Sequence, residues 1–241
     1  MTHSIRSQHR RGFTVLELVV VIAILVALAG SAVMMMDRVE MQAESQITLG
    51  EMDEIKRAIV QFKKDTGFLP KQGPFDLDTR AGGFVPLVNI PAFVPVAQKT
   101  AWFDSPANFW QLYENPLIGT GHALEDFNPV TARGWNGPYL SRRGEGLVDI
   151  GDNLQTDGSG SPTAGVVLPQ VYGVADPYVS TPIGSYLVWR PSDGATPYAR
   201  WGRPYFLFDL DQDSLARIVG SGDNAIYEGG AGDDVVAELL R

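Results

Sequence analysis

The sequence contains no cysteine, and that absence excludes several kinds of site at once. Disulfides, thiolate nucleophiles and cysteine-ligated zinc centres all require a residue that the chain lacks. Histidine is scarce too, with only His3, His9 and His122 present. The G-x-S-x-G, H-E-x-x-H and P-loop patterns are also missing. We therefore expect a protein that is not an enzyme.

An excess of positive charge is likewise absent, because the formal net charge is -9. Proteins that bind nucleic acid neutralise phosphates with clustered lysine and arginine. The sequence offers no such cluster, so nucleic acid is not an expected partner.

Proline is missing from residues 1–69, whereas all 16 prolines lie between Pro70 and Pro204. Inside this proline-free part, residues 18–36 carry no charge. At about 1.5 Å per residue they would form roughly 28 Å of helix, close to the thickness of a bilayer core. Residues 1–12 carry Arg6, Arg10 and Arg11 and no acid. The pattern predicts one membrane span with its N-terminus in the cytoplasm and its C-terminus outside.

A cleaved secretory signal peptide is the simplest alternative for this segment. Ala27-Leu28-Ala29 before Gly30 matches a typical cleavage site. Two features argue against it: Glu17 interrupts the start of the apolar region, and the helical pattern continues past residue 36.

The continuation is visible at Met52, Ile55, Ile59 and Phe62, which recur at the spacing of one helix face. Gly67 is a candidate C-cap, and Pro70 prevents prompt resumption of the helix. One helix of about 50 residues is therefore predicted to run from the apolar segment into the soluble part.

The stretch "RGFTVLELVVVIAILVALAG" resembles the N-terminus of type IV pilins and of the pseudopilins of type II secretion systems. The resemblance implies cleavage by prepilin peptidase between Gly12 and Phe13, followed by N-methylation of Phe13. It also implies a role for Glu17 in assembly. A buried carboxylate is costly unless it is paired, and the new amine of a neighbouring subunit would supply that pair.

Four further segments resemble motifs of the major pseudopilins and follow the same order in the chain. They are "DTGFLP" at 65–70, "GWNGPYLSRRG" at 134–144, "RWGRPYFLFD" at 200–209 and "IVGSGDNAIYEGGAGDD" at 218–234. The implied fold is α+β and type IV pilin-like, a long helix packed on a small antiparallel sheet. Strands are predicted at 185–190, 204–210 and 215–220. The stretches 71–133 and 145–199 are longer than in the family, and we expect extra loops there that face solvent or partners.

The last of these segments is the candidate metal site. Calcium takes six to eight oxygen ligands, and glycines allow backbone carbonyls to converge. The resemblance implies that Asp223 and one of Asp233 or Asp234 bind Ca²⁺, with a carbonyl from Val219. An acidic, solvated loop without a metal is the alternative. The neighbouring "DLDQDS" at 209–214 departs from an EF-hand and is predicted to be a strand end and turn.

The predicted organisation has four parts: a cytoplasmic leader at 1–12, a membrane and assembly helix at 13–36, the soluble half of that helix at 37–66, and a β-rich domain at 67–241. The resemblance implies a structural pseudopilin in the bacterial inner membrane, its C-terminal domain in the periplasm. Expected partners are further copies of the chain, minor pseudopilins, prepilin peptidase and the inner-membrane assembly platform. The alternatives are a surface type IV pilin or, in another class, a membrane-anchored enzyme or carbohydrate-binding domain. Five tryptophans would suit a sugar platform, although such residues more often belong to a core.

Overall fold

The computed structural model describes residues 14–77, 88–141, 146–150, 166–174, 204–222, 227 and 229–240. The first element is helix α1, Val15–Thr66, followed by 3₁₀ turns at Gly73–Phe75 and Val96–Gln98. Helices α2 and α3 are Lys99–Asp104 and Trp110–Tyr113. Strands β1 to β5 are, in order, Gly146–Ile150, Val166–Val171, Phe206–Phe208, Arg217–Gly220 and Val235–Glu238. The α+β class predicted from the sequence is confirmed.

The chain divides into two units, Met1–Glu44 and Ser45–Arg241, and α1 contributes to both. In the first unit, the large apolar side chains from Val15 to Leu28 are exposed. The sequence predicted a membrane span over 18–36. Among the described residues, no helix is both long enough and apolar enough to cross a membrane.

In the second unit, one face of α1 forms the centre of the core. Met52, Ile55, Ile59 and Phe62 are all buried, as their spacing predicted. The Phe62 ring makes edge contacts with Phe75 at 4.9 Å and with Tyr139 at 5.4 Å between ring centroids. Aromatic pairs in this geometry contribute beyond the area they bury, so Phe62 joins the helix to two later segments.

The helix ends where the sequence predicted. Gly67 follows the last helical residue with φ of 90°, and its N–H donates to the Lys63 carbonyl at 2.7 Å. Only glycine adopts this left-handed geometry without a steric penalty. The chain then turns back over the core, and the N–H of Lys71 donates to the Gln111 side chain at 2.8 Å.

The side chain of Lys71 continues this attachment. Its Nζ donates to the Ser105 carbonyl at 2.7 Å and lies over the ring of Phe103. Removal from water lowers the pKa of Lys71 to about 8, against the opposing effect of Asp104 and Asp76. The Lys71 ammonium has lost most of its water, and a backbone acceptor and two nearby acids stabilise its charge there.

Strands β3, β4 and β5 form an antiparallel sheet in that order. Val219 of the central strand pairs with Phe206 on one side and with Val236 on the other. The predictions at 204–210 and 215–220 are confirmed as β3 and β4, and residues 209–214 form the turn between them. The strand predicted at 185–190 lies outside the described residues, and β5 was not predicted. A second sheet pairs β1 with β2, also antiparallel.

The expectation of solvent-facing loops in 71–133 was wrong for its central part. Residues 96–113 form a 3₁₀ turn and the short helices α2 and α3. Most of their large side chains are buried: Trp102, Phe103, Trp110, Leu112 and Tyr113. Helices of four to six residues are too short to display a helical repeat, so the sequence pattern carried no signal for them.

Phe62 provides a test of this core. We expect Phe62→Ala to lower the free energy of unfolding by about 3–5 kcal/mol, because it removes a fully buried ring and leaves a cavity. Val60→Ala, on the exposed side of the same helix, should change it by no more than about 0.5 kcal/mol. Urea unfolding of both variants measures the difference, and equal stabilities would contradict the assigned core face.

Candidate functional site

The start of α1 carries a reciprocal hydrogen-bond pair between Thr14 and Glu17. The N–H of Glu17 donates to Thr14 Oγ1 at 3.2 Å, and the N–H of Thr14 donates to Glu17 Oε2 at 3.1 Å. The Thr14 hydroxyl also donates to Glu17 Oε2 at 3.2 Å. This is a capping box, in which two backbone donors at a helix start are satisfied by side chains. The positive end of the helix dipole adds a further attraction for the Glu17 carboxylate.

Sequence reasoning singled out Glu17 for a contact between subunits and overlooked Thr14. The T-x-x-E pattern at 14–17 was the available signal, because a threonine followed by glutamate three residues later marks a helix start. Gly12 and Phe13, the predicted cleavage residues, lie outside the described residues. The cleavage point is therefore placed by the sequence alone, two residues before the first helical residue, Val15.

Beyond the capping box, α1 presents apolar side chains on every side. Examples are Val15 at 81% exposed, Leu16 at 74% and Leu28 at 60%. Contiguous exposed apolar surface on this scale marks a site of contact with a membrane or with another protein. Glu17 is thus the one acidic side chain within an apolar surface that must be covered by something.

The second candidate site is the C-terminal loop, whose two ends are close together. Gly222 has φ of 60°, and a Cβ built on it would lie 2.2 Å from the Asp233 carbonyl oxygen. Only glycine permits this approach. Asp223 follows directly and lies outside the described residues, so the structure places the loop's two ends side by side without fixing the position of its first carboxylate.

Several oxygen-bearing side chains lie at the two ends of this loop. Asp233 and Asp234 stand at the second end of the loop, and Asp234 Oδ2 accepts a hydrogen bond from the N–H of Gly230 at 2.8 Å. Ser221 was not predicted as a site residue, yet its side chain is 4% exposed and its Oγ has no hydrogen-bond partner among the described residues. A buried hydroxyl without a partner is uncommon and requires an explanation.

The structure places Val219 differently from its neighbours in the loop. It lies inside β4 and is paired on both sides, two residues before the loop begins. Among the described residues, no three carboxylate or histidine side chains form a group suited to a metal ion. The described residues at the two ends of the loop that carry side-chain oxygens are Ser221, Asp233 and Asp234.

Among the described residues, three tryptophans and His122 make contacts inside the domain. Trp102 and Trp110 are buried in the core, and Trp135 is half-buried with its indole N–H donating to the Gln111 carbonyl. His122 Nδ1 accepts a hydrogen bond from the N–H of Leu124 at 3.1 Å. Trp189 and Trp201 lie outside the described residues.

Comparison with known proteins adds one finding at the first site. The family model for the prokaryotic N-terminal methylation motif matches residues 7–33. The chain carries a type IV pilin-like prepilin signal. The match includes the predicted cleavage residues, the Thr14–Glu17 capping box and most of the exposed apolar helix. No curated protein and no solved structure matches the chain.

Proposed function

We propose that the chain is a structural subunit of a pilus-like filament, a pseudopilin of a type II secretion system. The observation that carries the proposal is the methylation motif at 7–33, followed by an apolar helix whose side chains are exposed from Val15 to Leu28. Prepilin peptidase would cleave the precursor, and further copies of the chain would cover the exposed helix. The precursor would be anchored in the inner membrane with its globular part in the periplasm.

Two observations favour a pseudopilin over a surface pilin. The four soluble segments that resemble major pseudopilins occur in the family's order. Two of them, 200–209 and 218–234, contribute β3 and most of β4 to the sheet, and the loop ends meet at Gly222 and Asp233. Minor pseudopilins and the inner-membrane assembly platform are the further partners that this proposal implies.

Glu17 has a second state in this proposal. Within one chain its carboxylate is bonded to the helix start through Thr14. Cleavage after Gly12 creates a positively charged amine at Phe13, and a neighbour's amine would form a stronger, charge-assisted contact with Glu17. The carboxylate is costly in an apolar bundle unless that contact forms, so it favours a single register between subunits.

We also propose a Ca²⁺ site in the C-terminal loop. Asp223, Asp233 and Asp234 would supply carboxylate oxygens, and the buried Ser221 Oγ would supply another. Calcium accepts this mixture of carboxylate and neutral oxygens. The ion would bring together acids that otherwise repel each other in a chain with a net charge of -9. The Val219 carbonyl stays a prediction.

Processing gives the first test. We expect the mature chain to begin at N-methylated Phe13 and to contain 229 residues, since 12 of 241 are removed. Loss of Arg6, Arg10 and Arg11 changes the formal charge from -9 to -12. Mass spectrometry of the N-terminus measures this. A chain that begins at Gly30 would instead support a cleaved signal peptide and exclude the filament proposal.

Assembly gives the second test. Glu17→Gln retains an acceptor for Thr14 but loses the charge, so it should be inserted and cleaved yet yield at least about tenfold less filament, a ratio that corresponds to about 1.4 kcal/mol. Thr14→Ala is the matched control, because it disrupts the capping box and keeps the carboxylate. Sheared-filament yield measures both. Normal yield from Glu17→Gln would show that the residue acts only as a helix cap.

Calcium gives the third test. Millimolar Ca²⁺ should raise the melting temperature of the full chain in detergent micelles, because a ligand that binds only the folded state adds about 2.7 kcal/mol at a hundredfold excess over its Kd. Asp223→Ala should remove most of the increase. Asp211→Ala, in the exposed turn before β4, should retain it. An unchanged melting curve for the unmutated chain would exclude the site.

A further inference from the structure

A groove runs between the last turns of α1 and the segment 136–139. It encloses about 660 Å³ and is open to solvent along one side. Ala58 and Pro138 give it apolar walls, and the ring of Tyr139 closes one end. Such walls fit the aliphatic part of a side chain, and the polar groups at the floor decide what its end must be.

The floor holds a carboxylate that is buried to an unusual degree. Asp65 is 5% exposed, and its Oδ1 accepts a hydrogen bond from the Gln61 side chain at 2.8 Å. Its Oδ2 is enclosed and accepts no hydrogen bond from the described residues. A buried carboxylate oxygen without a donor is costly, because water no longer solvates the charge.

The side chains of Gln61 and Tyr139 both interact with the Asp65 carboxylate. Gln61 donates one of its side-chain N–H groups to Asp65 Oδ1. The Tyr139 hydroxyl accepts a hydrogen bond from the N–H of Asn136 at 2.9 Å. Burial raises the pKa of Tyr139, and the neighbouring Asp65 carboxylate raises it further.

Asp65 accounts for the formal net charge of the residues that line the groove. Glu54 and Arg57 lie one turn apart on the same helix, and their formal charges cancel. Lys64 and Arg133 line a separate cavity of about 500 Å³, which also includes Asp65. The larger groove therefore combines apolar walls with a buried carboxylate, Asp65, that forms no ion pair with the described residues.

We infer that this groove binds a basic group on an aliphatic stem, a guanidinium or a primary ammonium, with Asp65 as the residue that recognises it. The second side-chain torsion of aspartate is broad, so a small rotation turns the unused oxygen toward the ligand. A bond between a cationic donor and a carboxylate is roughly twice as strong as a neutral one. The basic group can come from a second copy of the chain or from a free small molecule.

The test uses the full chain in detergent micelles and N-acetyl-arginine amide, which carries only the guanidinium charge. We expect saturable binding in a ligand-observed NMR titration. N-acetyl-citrulline amide has the same shape without the charge and should bind at least tenfold more weakly. Asp65→Asn should weaken binding of the arginine probe by at least tenfold, whereas Asp53→Asn, on an exposed part of the same helix, should change it less than twofold.

Asn136→Arg keeps the test informative if Asp65→Asn does not fold. Asn136 is exposed and lies at the rim of the groove, so the new guanidinium can reach Asp65 within the chain. This variant should exclude the probe and raise the melting temperature, and Asn136→Gln should do neither. Equal binding of the two probes, no saturation, or unchanged binding by both Asp65→Asn and Asn136→Arg would overturn the inference.

The source of the basic group is decided by a comparison of dispersed and assembled chain. If a second copy supplies it, the dispersed chain binds the arginine probe and the assembled chain does not. If a free molecule supplies it, both forms bind. The dispersed arm does not require assembly, so a failure to form filaments would leave this inference separately testable.

Discussion

The apolar face on the second half of α1 is the constraint on which the domain depends. Met52, Ile55, Ile59 and Phe62 lose almost all contact with water, and that burial is the main favourable term for a chain without disulfides. Phe62 contacts Phe75 and Tyr139, which lie 13 and 77 residues later in the sequence. The helix can serve as a scaffold only because its other faces remain polar, and that division determines which segments pack against it.

The first half of the same helix has the opposite problem. Its apolar side chains have no core of their own to enter, and one acid lies among them. The capping box gives that acid a partner inside its own chain, at the one place in a helix where backbone donors are unused. In the assembly proposed above, a carboxylate with an internal partner is tolerable in the single chain and can exchange that partner for a stronger one. This combination suits a subunit that must exist alone before it joins others.

The end of α1 carries several polar connections to later segments. Gly67 reverses the chain, Lys71 attaches the following turn to Ser105 and Gln111, and Lys63 pairs with Asp213 in the turn between β3 and β4. Asp65 is buried among these connections, and its backbone carbonyl accepts a hydrogen bond from Gly134 at 2.9 Å.

Local sequence determined the features whose physics is local. The spacing of Met52, Ile55 and Ile59 specifies a helix face, because 3.6 residues make one turn wherever the chain lies. Gly67 specifies the helix end for the same kind of reason, and T-x-x-E at 14–17 contained the capping box although only Glu17 was recognised. The methylation motif is also a continuous stretch, so it was readable without a fold.

Only the tertiary structure decided the features that join distant segments. The burial of Trp102 and Trp110 depends on short helices without a repeat, and the placement of Val219 depends on β5, a strand of four residues that pairs with it from 16 or more positions away. Asp65 and Ser221 are ordinary polar residues in sequence, and the atoms Asp65 Oδ2 and Ser221 Oγ are left without a hydrogen-bond partner only because other segments exclude water from them. Burial is a property of the folded chain, because a residue loses contact with water only when other segments pack against it.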